Sequence, residues 1–173
     1  EFPEAEFDQG GIIPDDQMKR AIRKGRFRGR LMFWSRGGNN FGDYIGPYLF
    51  RKSTGELPIF ARPAIAYPSN PTYFTCGSIL EKISNPNSCI VWGSGRYIWH
   101  GEFSRPKAVH AVRGPLSLEY FYRHQYAAPE VFGDPGLCVP LFYSPDTTKH
   151  YRVGFIPHLS EIGFWSEAEL PDD

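Results

Sequence analysis

The sequence has no excess of charge of either sign, with 19 Lys plus Arg against 19 Asp plus Glu in 173 residues. A general attraction to nucleic acid or to an anionic membrane surface does not follow, and any anion site must be local. Cysteine is scarce: Cys76, Cys89 and Cys138 lie far apart in apolar contexts, with no CxxC spacing and no paired histidines nearby. That pattern argues against a zinc site or a disulfide framework and reads as three buried thiols in a reducing compartment, cytoplasm or organelle interior. No apolar run approaches the ~20 residues a membrane span needs, so the chain reads as soluble, without a membrane span. The three spaced glycines and later acid of the dinucleotide fingerprint are missing too, which weakens a plain nucleotide-binding reading. The first residue is Glu1 rather than Met, which fits processing, a removed targeting segment or an omitted start alike.

What is present divides into three parts. Residues 1–29 form a polar arm that ends in the basic cluster "KRAIRKGRFRGR" (Lys19 to Arg30), read as a solvated arm or helix face, or as an extended arm lying on a partner. Residues 30–143 carry short apolar runs punctuated by Gly, Pro, Asn and Ser. Strands are expected in "RLMFWSRGG" (Arg30 to Gly38), "YFTCGSIL" (Tyr73 to Leu80), "SCIVWGSG" (Ser88 to Gly95) and "PKAVHAVRG" (Pro106 to Gly114), and a short one opens "EVFGDPGLCVP" (Glu130 to Pro140).

Helices are expected between them. "NFGDYIGPYLFRKST" (Asn40 to Thr54) is one, with Asn40 as N-cap and regular helix from Ile45 or Gly46, because Pro47 is tolerated only in a first turn or at a kink. "PLSLEYFYRHQ" (Pro115 to Gln125) is another, with Pro at its first position. The strands are apolar on both faces, as strands covered by helices on both sides should be, so an α/β layered domain with a mainly parallel sheet is expected. Residues 144–173 read as a linker and the first strand, "RVGFIPH" (Arg152 to His158), of a second domain that is truncated or missing.

Candidate site residues cluster at the expected carboxyl ends of strands, where open α/β sheets bind ligands. Asp43 sits in the first turn of a helix after a Gly-rich turn; a carboxylate there competes for the N–H groups that would otherwise cradle phosphate. It either caps the helix or accepts hydrogen bonds from sugar hydroxyls. "CGSIL" and "WGSG" add small-residue turns that admit close backbone approach. Arg113 follows a strand and precedes Pro115; it either grips a phosphate or carboxylate or pairs with an acid such as Asp134. Asp134, in "GDPG", reads as a turn or capping residue. His110 reads as core and His158 as facing a cleft. No histidine has a nearby nucleophile and acid, so nothing indicates a covalent mechanism.

Taken in order, "NFGDYIGPYL", "CGSIL", "IVWGSG", "AVRGPLSLEYF", "FGDPGLCVP" and "RVGFIPH" resemble the polysaccharide pyruvyl transferase family over Leu31 to His158. The resemblance implies the amino-terminal half of a GT-B-like architecture, two Rossmann-like halves around a cleft. It also implies transfer of the pyruvyl group from phosphoenolpyruvate to two hydroxyls of a saccharide acceptor as a ketal, chemistry that requires no metal or redox cofactor in principle. By resemblance, Asn40, Gly42 and Asp43 would line the cleft near sugar or donor. Gly77, Ser78, Gly93 and Ser94 would form the adjoining rim, and Arg113 would help neutralise the phosphoenolpyruvate anion.

No catalytic residue is assigned, because the Ser-Leu-His-Gly-type stretch of the family's second half, with its histidine and further arginine, has no counterpart here. The chain is therefore expected to hold one wall of a two-walled cleft and to be inactive alone, a protein partner or further chain supplying the other half. The alternative is a catalytically dead scaffolding subunit whose basic arm and aromatic tail "GFWSEAEL" (Gly163 to Leu170) dock on partners.

Overall fold

The computed structural model describes residues 15–24, 27, 29–36, 40–67, 69–97 and 101–156. Five strands form one sheet: β1 (Leu31–Phe33), β2 (Ile59–Phe60), β3 (Thr72–Phe74), β4 (Cys89–Trp92) and β5 (Ala108–Ala111). All pairings are parallel and the order is β2-β1-β3-β4-β5. Of two isolated parallel bridges among the described residues, Val112 to Phe132 extends the edge beyond β5 and Ser78 to Gly95 links the ends of β3 and β4. The parallel α/β architecture expected from the two-sided apolar strands is therefore present. β1 leads outward to β2 on one side while β3 lies on its other side. The connections thus diverge between β1 and β3, and the crevice at their carboxyl ends is where open parallel sheets receive ligands.

Alternation along the strands sends successive side chains to opposite faces. From β1, Met32 packs with Phe50 of helix α2 (Phe41–Thr54) on one face; helix α1 (Asp15–Arg23) precedes it in the chain. Phe33 points to the other face, into the main cluster with Phe74, Val91, Leu118 and Phe121, the last two from helix α3 (Pro115–Arg123). The Phe33 and Phe74 rings lie 5.4 Å apart. Leu118 and Phe121, three residues apart, share one side of α3, and each buried side chain of this size contributes roughly 1.5–3 kcal/mol. The basic stretch of the arm is tied down as well: Ile22 of α1 and Phe27 pack against Leu31, Ala61 and Tyr67.

Helix α2 departs from expectation at its start. It begins at Phe41, not at Ile45 or Gly46, and carries Pro47 inside it. Proline there removes the N–H that would bond the Asp43 carbonyl. Burial of Gly46 through Phe50, with Phe50 against Met32 of β1 and Tyr48 and Leu49 packed with Leu57 and Val139, outweighs that loss, and both ends are closed. Asn40 Oδ1 accepts from the Gly42 N–H at 2.8 Å, and Gly55, with φ of 73°, donates its N–H to the Arg51 carbonyl.

Other corrections concern single elements. β2 has no counterpart in the sequence reading, and the strand expected at Glu130 reduces to the Phe132 bridge. His110, read as core, is exposed, because β5 is the last full strand of the sheet. Of the cysteines only Cys89 is fully buried, its thiol pushed up to about 12 by burial; Cys76 is half-buried and Cys138 exposed on a 3-10 helix (Pro135–Leu141). Residues 144–156 are exposed, and the described part of "RVGFIPH" (Arg152 to Ile156) is not a strand. His158 and the aromatic tail lie outside the described residues. No described helix is long and apolar enough to cross a membrane.

Candidate functional site

The carboxyl ends of β1 and β3 open into a cleft of about 630 Å³ lined by Asn40, Gly42, Asp43, Gly77, Ser78 and Asp134, together with Ser35, Cys76 and Tyr97. It lies at the divergence point of the sheet. Five of the eight residues singled out from sequence therefore line a single cavity. A sixth, Arg113, joins them by hydrogen bond: its Nη1 donates to Ser78 Oγ at 2.6 Å and its Nη2 to the Arg96 carbonyl at 2.9 Å. The two remaining residues are elsewhere. Ser94 is completely buried and its hydroxyl donates to the Thr75 carbonyl at 2.6 Å, so it braces β4 against β3 beneath the cleft. Gly93, at φ of 92°, lies under the 133–135 turn, where an added Cβ would stand 2.7 Å from the Gly133 carbonyl oxygen. Neither lines the rim; both are structural supports for it.

Asp43 and Asp134 share the cleft but differ in what holds them. Asn40, not Asp43, caps α2, which leaves the half-buried Asp43 carboxylate without a hydrogen bond or ion pair to any other described residue. It is a free acceptor facing the cavity. Asp134 is fully engaged: Oδ2 accepts from the Gly77 N–H at 3.0 Å and Oδ1 from the Gly136 N–H at 2.9 Å, the latter capping the 3-10 helix. The Cys76 thiol hydrogen-bonds the same carboxylate. Burial first, and then the negative charge of Asp134, raise the Cys76 thiol far above its ordinary range, so it stays a neutral S–H at physiological pH.

Asp134 is thus a clasp between the β3 turn and the 3-10 helix rather than the partner of Arg113. Asp134→Asn turns an NH₂ group toward an N–H donor and leaves it unsatisfied. We expect a loss of about 1–3 kcal/mol in chemical denaturation. An unchanged midpoint would show that the clasp carries no stability.

A second cavity, of about 430 Å³, shares Tyr97 with the first and is lined also by Arg96, Arg113, Gly114, Pro115, Leu116 and Ser117. It sits at the N-terminus of α3, where the helix dipole adds positive partial charge; Pro115 has no N–H and the Ser117 N–H donates to the Gly114 carbonyl at 3.1 Å, so the Leu116 N–H is the donor left to a ligand. The two arginines here are not equivalent. Arg96 pairs with Glu81 at 3.5 Å, both side chains nearly buried; its guanidinium lies 3.8 Å over the Tyr120 ring and donates to the Gly101 carbonyl. Its charge is largely balanced in place. Arg113 has no carboxylate at ion-pair distance among the described residues. Of its five N–H donors two are committed, so the rest remain for a ligand.

The edge is therefore divided by charge, with carboxylate acceptors at β1 and β3 and an unbalanced guanidinium with a helix N-terminus at β5. Sequence reading missed Arg96 and Tyr97. They directly follow the "GSG" turn, and that position at a strand end was the signal available. Among the described residues no group of three or more His, Cys, Asp and Glu side chains could hold a metal ion. Searches of protein-family models, of curated proteins and of solved structures find no match to this chain.

Proposed function

We propose that this chain forms the donor-binding and acceptor-binding wall of a polysaccharide pyruvyl transferase-like enzyme, the amino-terminal half of a GT-B-like architecture. The observation that carries this reading is the juxtaposition, on one sheet edge, of an unbalanced Arg113 and an open carboxylate, Asp43. Phosphoenolpyruvate brings a carboxylate and a phosphate, and the Arg113 fork with the N-terminus of α3 complements either group. A saccharide brings vicinal or nearby hydroxyls, and Asp43 and the Asn40 side chain accept and donate hydrogen bonds to them.

The transfer needs four events. The donor methylene gains a proton, its C2 becomes electrophilic, two sugar hydroxyls add to that carbon with loss of their protons, and phosphate leaves. Donor plus diol thus gives ketal plus phosphate. In this account Arg113 holds the donor anion and offsets its charge, and Asp43 orients the hydroxyls toward C2. Both cavities are open to solvent, and an open site forgoes much of the roughly 7–11 kcal/mol that fixed positioning supplies.

The test incubates the chain with phosphoenolpyruvate and a galactose-containing acceptor, following ketal formation by mass spectrometry and phosphate release by phosphorus NMR. The expected result is donor binding without turnover by these 173 residues alone. Turnover would contradict the single-wall reading, and failure to bind the donor would contradict the transferase reading as a whole.

One observation favours a scaffolding role instead. Leu137, Leu141, Tyr151, Val153 and Ile156 are each more than 70% exposed, large apolar side chains of the kind that a second protein surface covers. Complex formation without donor binding would support it.

A further inference from the structure

We infer that Gly95 is a positioning residue of the anion site: the place its side chain would occupy is the berth of the Arg113 guanidinium. This rests on the reading of Arg113 as the donor's anion receptor and adds what holds that receptor in place. A Cβ built on Gly95 would overlap Arg113 Nε and Cζ and stand 2.6 Å from Nη2. The guanidinium therefore lies against the Gly95 backbone, and only a residue without a side chain leaves room for it.

The Gly95 backbone itself is fixed, since its N–H donates to the Gly77 carbonyl at 3.0 Å and its carbonyl accepts from the Leu80 N–H at 3.2 Å. It is also outside the left-handed region, so alanine is conformationally acceptable there. The glycine is required by Arg113, not by the turn.

Two further contacts complete the berth. Ser78 Oγ and the Arg96 carbonyl each take one N–H of the fork, and Ser78 and Gly95 are themselves bridged as neighbouring parallel strand ends. The side chain is thus held before any ligand arrives, and preorganisation of this kind lowers the ordering cost of binding. Because the colliding atoms are the far end of a long side chain, Gly95→Ala displaces Arg113 without breaking the fold.

The experiment compares parent, Gly95→Ala, Arg113→Ala and the double variant by calorimetric titration with phosphoenolpyruvate. Each protein's unfolding midpoint is measured alongside. A second readout is the rate at which an arginine-selective dicarbonyl reagent labels Arg113, followed by mass spectrometry. The expected result is an affinity loss of about ten- to a hundredfold in Gly95→Ala, with the midpoint of the free protein unchanged. The double variant is expected to bind no more weakly than Arg113→Ala, and Arg113 to be labelled faster in Gly95→Ala than in the parent.

Parent-like binding and labelling in Gly95→Ala, with binding lost in Arg113→Ala, would overturn the inference and leave the anion reading standing. Parent-like binding in Arg113→Ala, or no donor binding by the parent, would overturn the anion reading. The labelling rate would then decide the berth alone, and an unchanged rate would reject it.

Discussion

Arg113→Ala is expected to remove about half or more of the thermal stabilisation that phosphoenolpyruvate gives the parent protein. A ligand at a hundred times its dissociation constant stabilises a folded protein by about 2.7 kcal/mol, which raises the midpoint of a domain this size by roughly 5–10 °C. Loss of a charge-assisted fork to an anion costs about 1.5–3 kcal/mol in binding, a ten- to hundredfold loss of affinity. At the same ligand concentration the variant should therefore move by only about 1–5 °C.

The specificity of this expectation lies in the contrast with Arg96. That side chain is paired with Glu81 and packed on Tyr120, so Arg96→Ala should lower the midpoint of the free protein, whereas Arg113→Ala should mainly lower its response to ligand. Lysine at 113 keeps the charge and loses the two-pronged geometry, so an intermediate response is expected.

The largest stability effect is expected from Phe74→Ala. Phe74 lies in the central strand, is 1% exposed, and packs on Phe33 within the cluster that α3 covers. Truncating a buried phenylalanine costs about 3–5 kcal/mol, a large part of the ~5–15 kcal/mol that holds a typical domain together. Urea denaturation should show a midpoint reduced accordingly with a similar slope. The site should suffer with it, because the Cys76-Gly77-Ser78 turn is the direct continuation of β3. A loss under about 1 kcal/mol would mean that this cluster is not the core that aligns the edge.

Much of the fold was legible because its signals are local. Short strands apolar on both faces announce a helix-covered parallel sheet, and Pro115 opens α3 where an N-terminal proline should be. β2 was not legible: Ile59 and Phe60 stand between Pro58 and Pro63, too few residues to display a period, and only the neighbouring β1 makes them a strand. The start of α2 was misplaced because Pro47 weighs heavily against a helix interior in isolation, whereas the cap at Asn40 and the buried face decide it in the folded chain.

The site divides the same way. Asn40, Gly42, Asp43, Gly77, Ser78 and Arg113 lie together, as the sequence suggests, because small or charged residues just past parallel strands share one edge. Ser94 was assigned to that rim for the same reason, yet its hydroxyl turns inward to Thr75. Which way a side chain points at the end of a strand depends on register, and β4 carries an irregularity at Val91 and Trp92 that no local pattern reveals. Gly95 was equally hidden, since its role exists only once Arg113 is laid across it.

The most direct measurement of the central claim is a backbone NMR titration of the protein, first with phosphoenolpyruvate and then with a galactose-containing acceptor. Donor-induced shifts are expected at Gly77, Ser78, Gly95, Tyr97 and Arg113 through Ser117, and acceptor-induced shifts at Asn40 through Ile45. Shifts concentrated at the opposite end of the sheet, where Arg105, Lys107 and Asn87 border a separate cavity, or no shifts with either ligand, would contradict that claim.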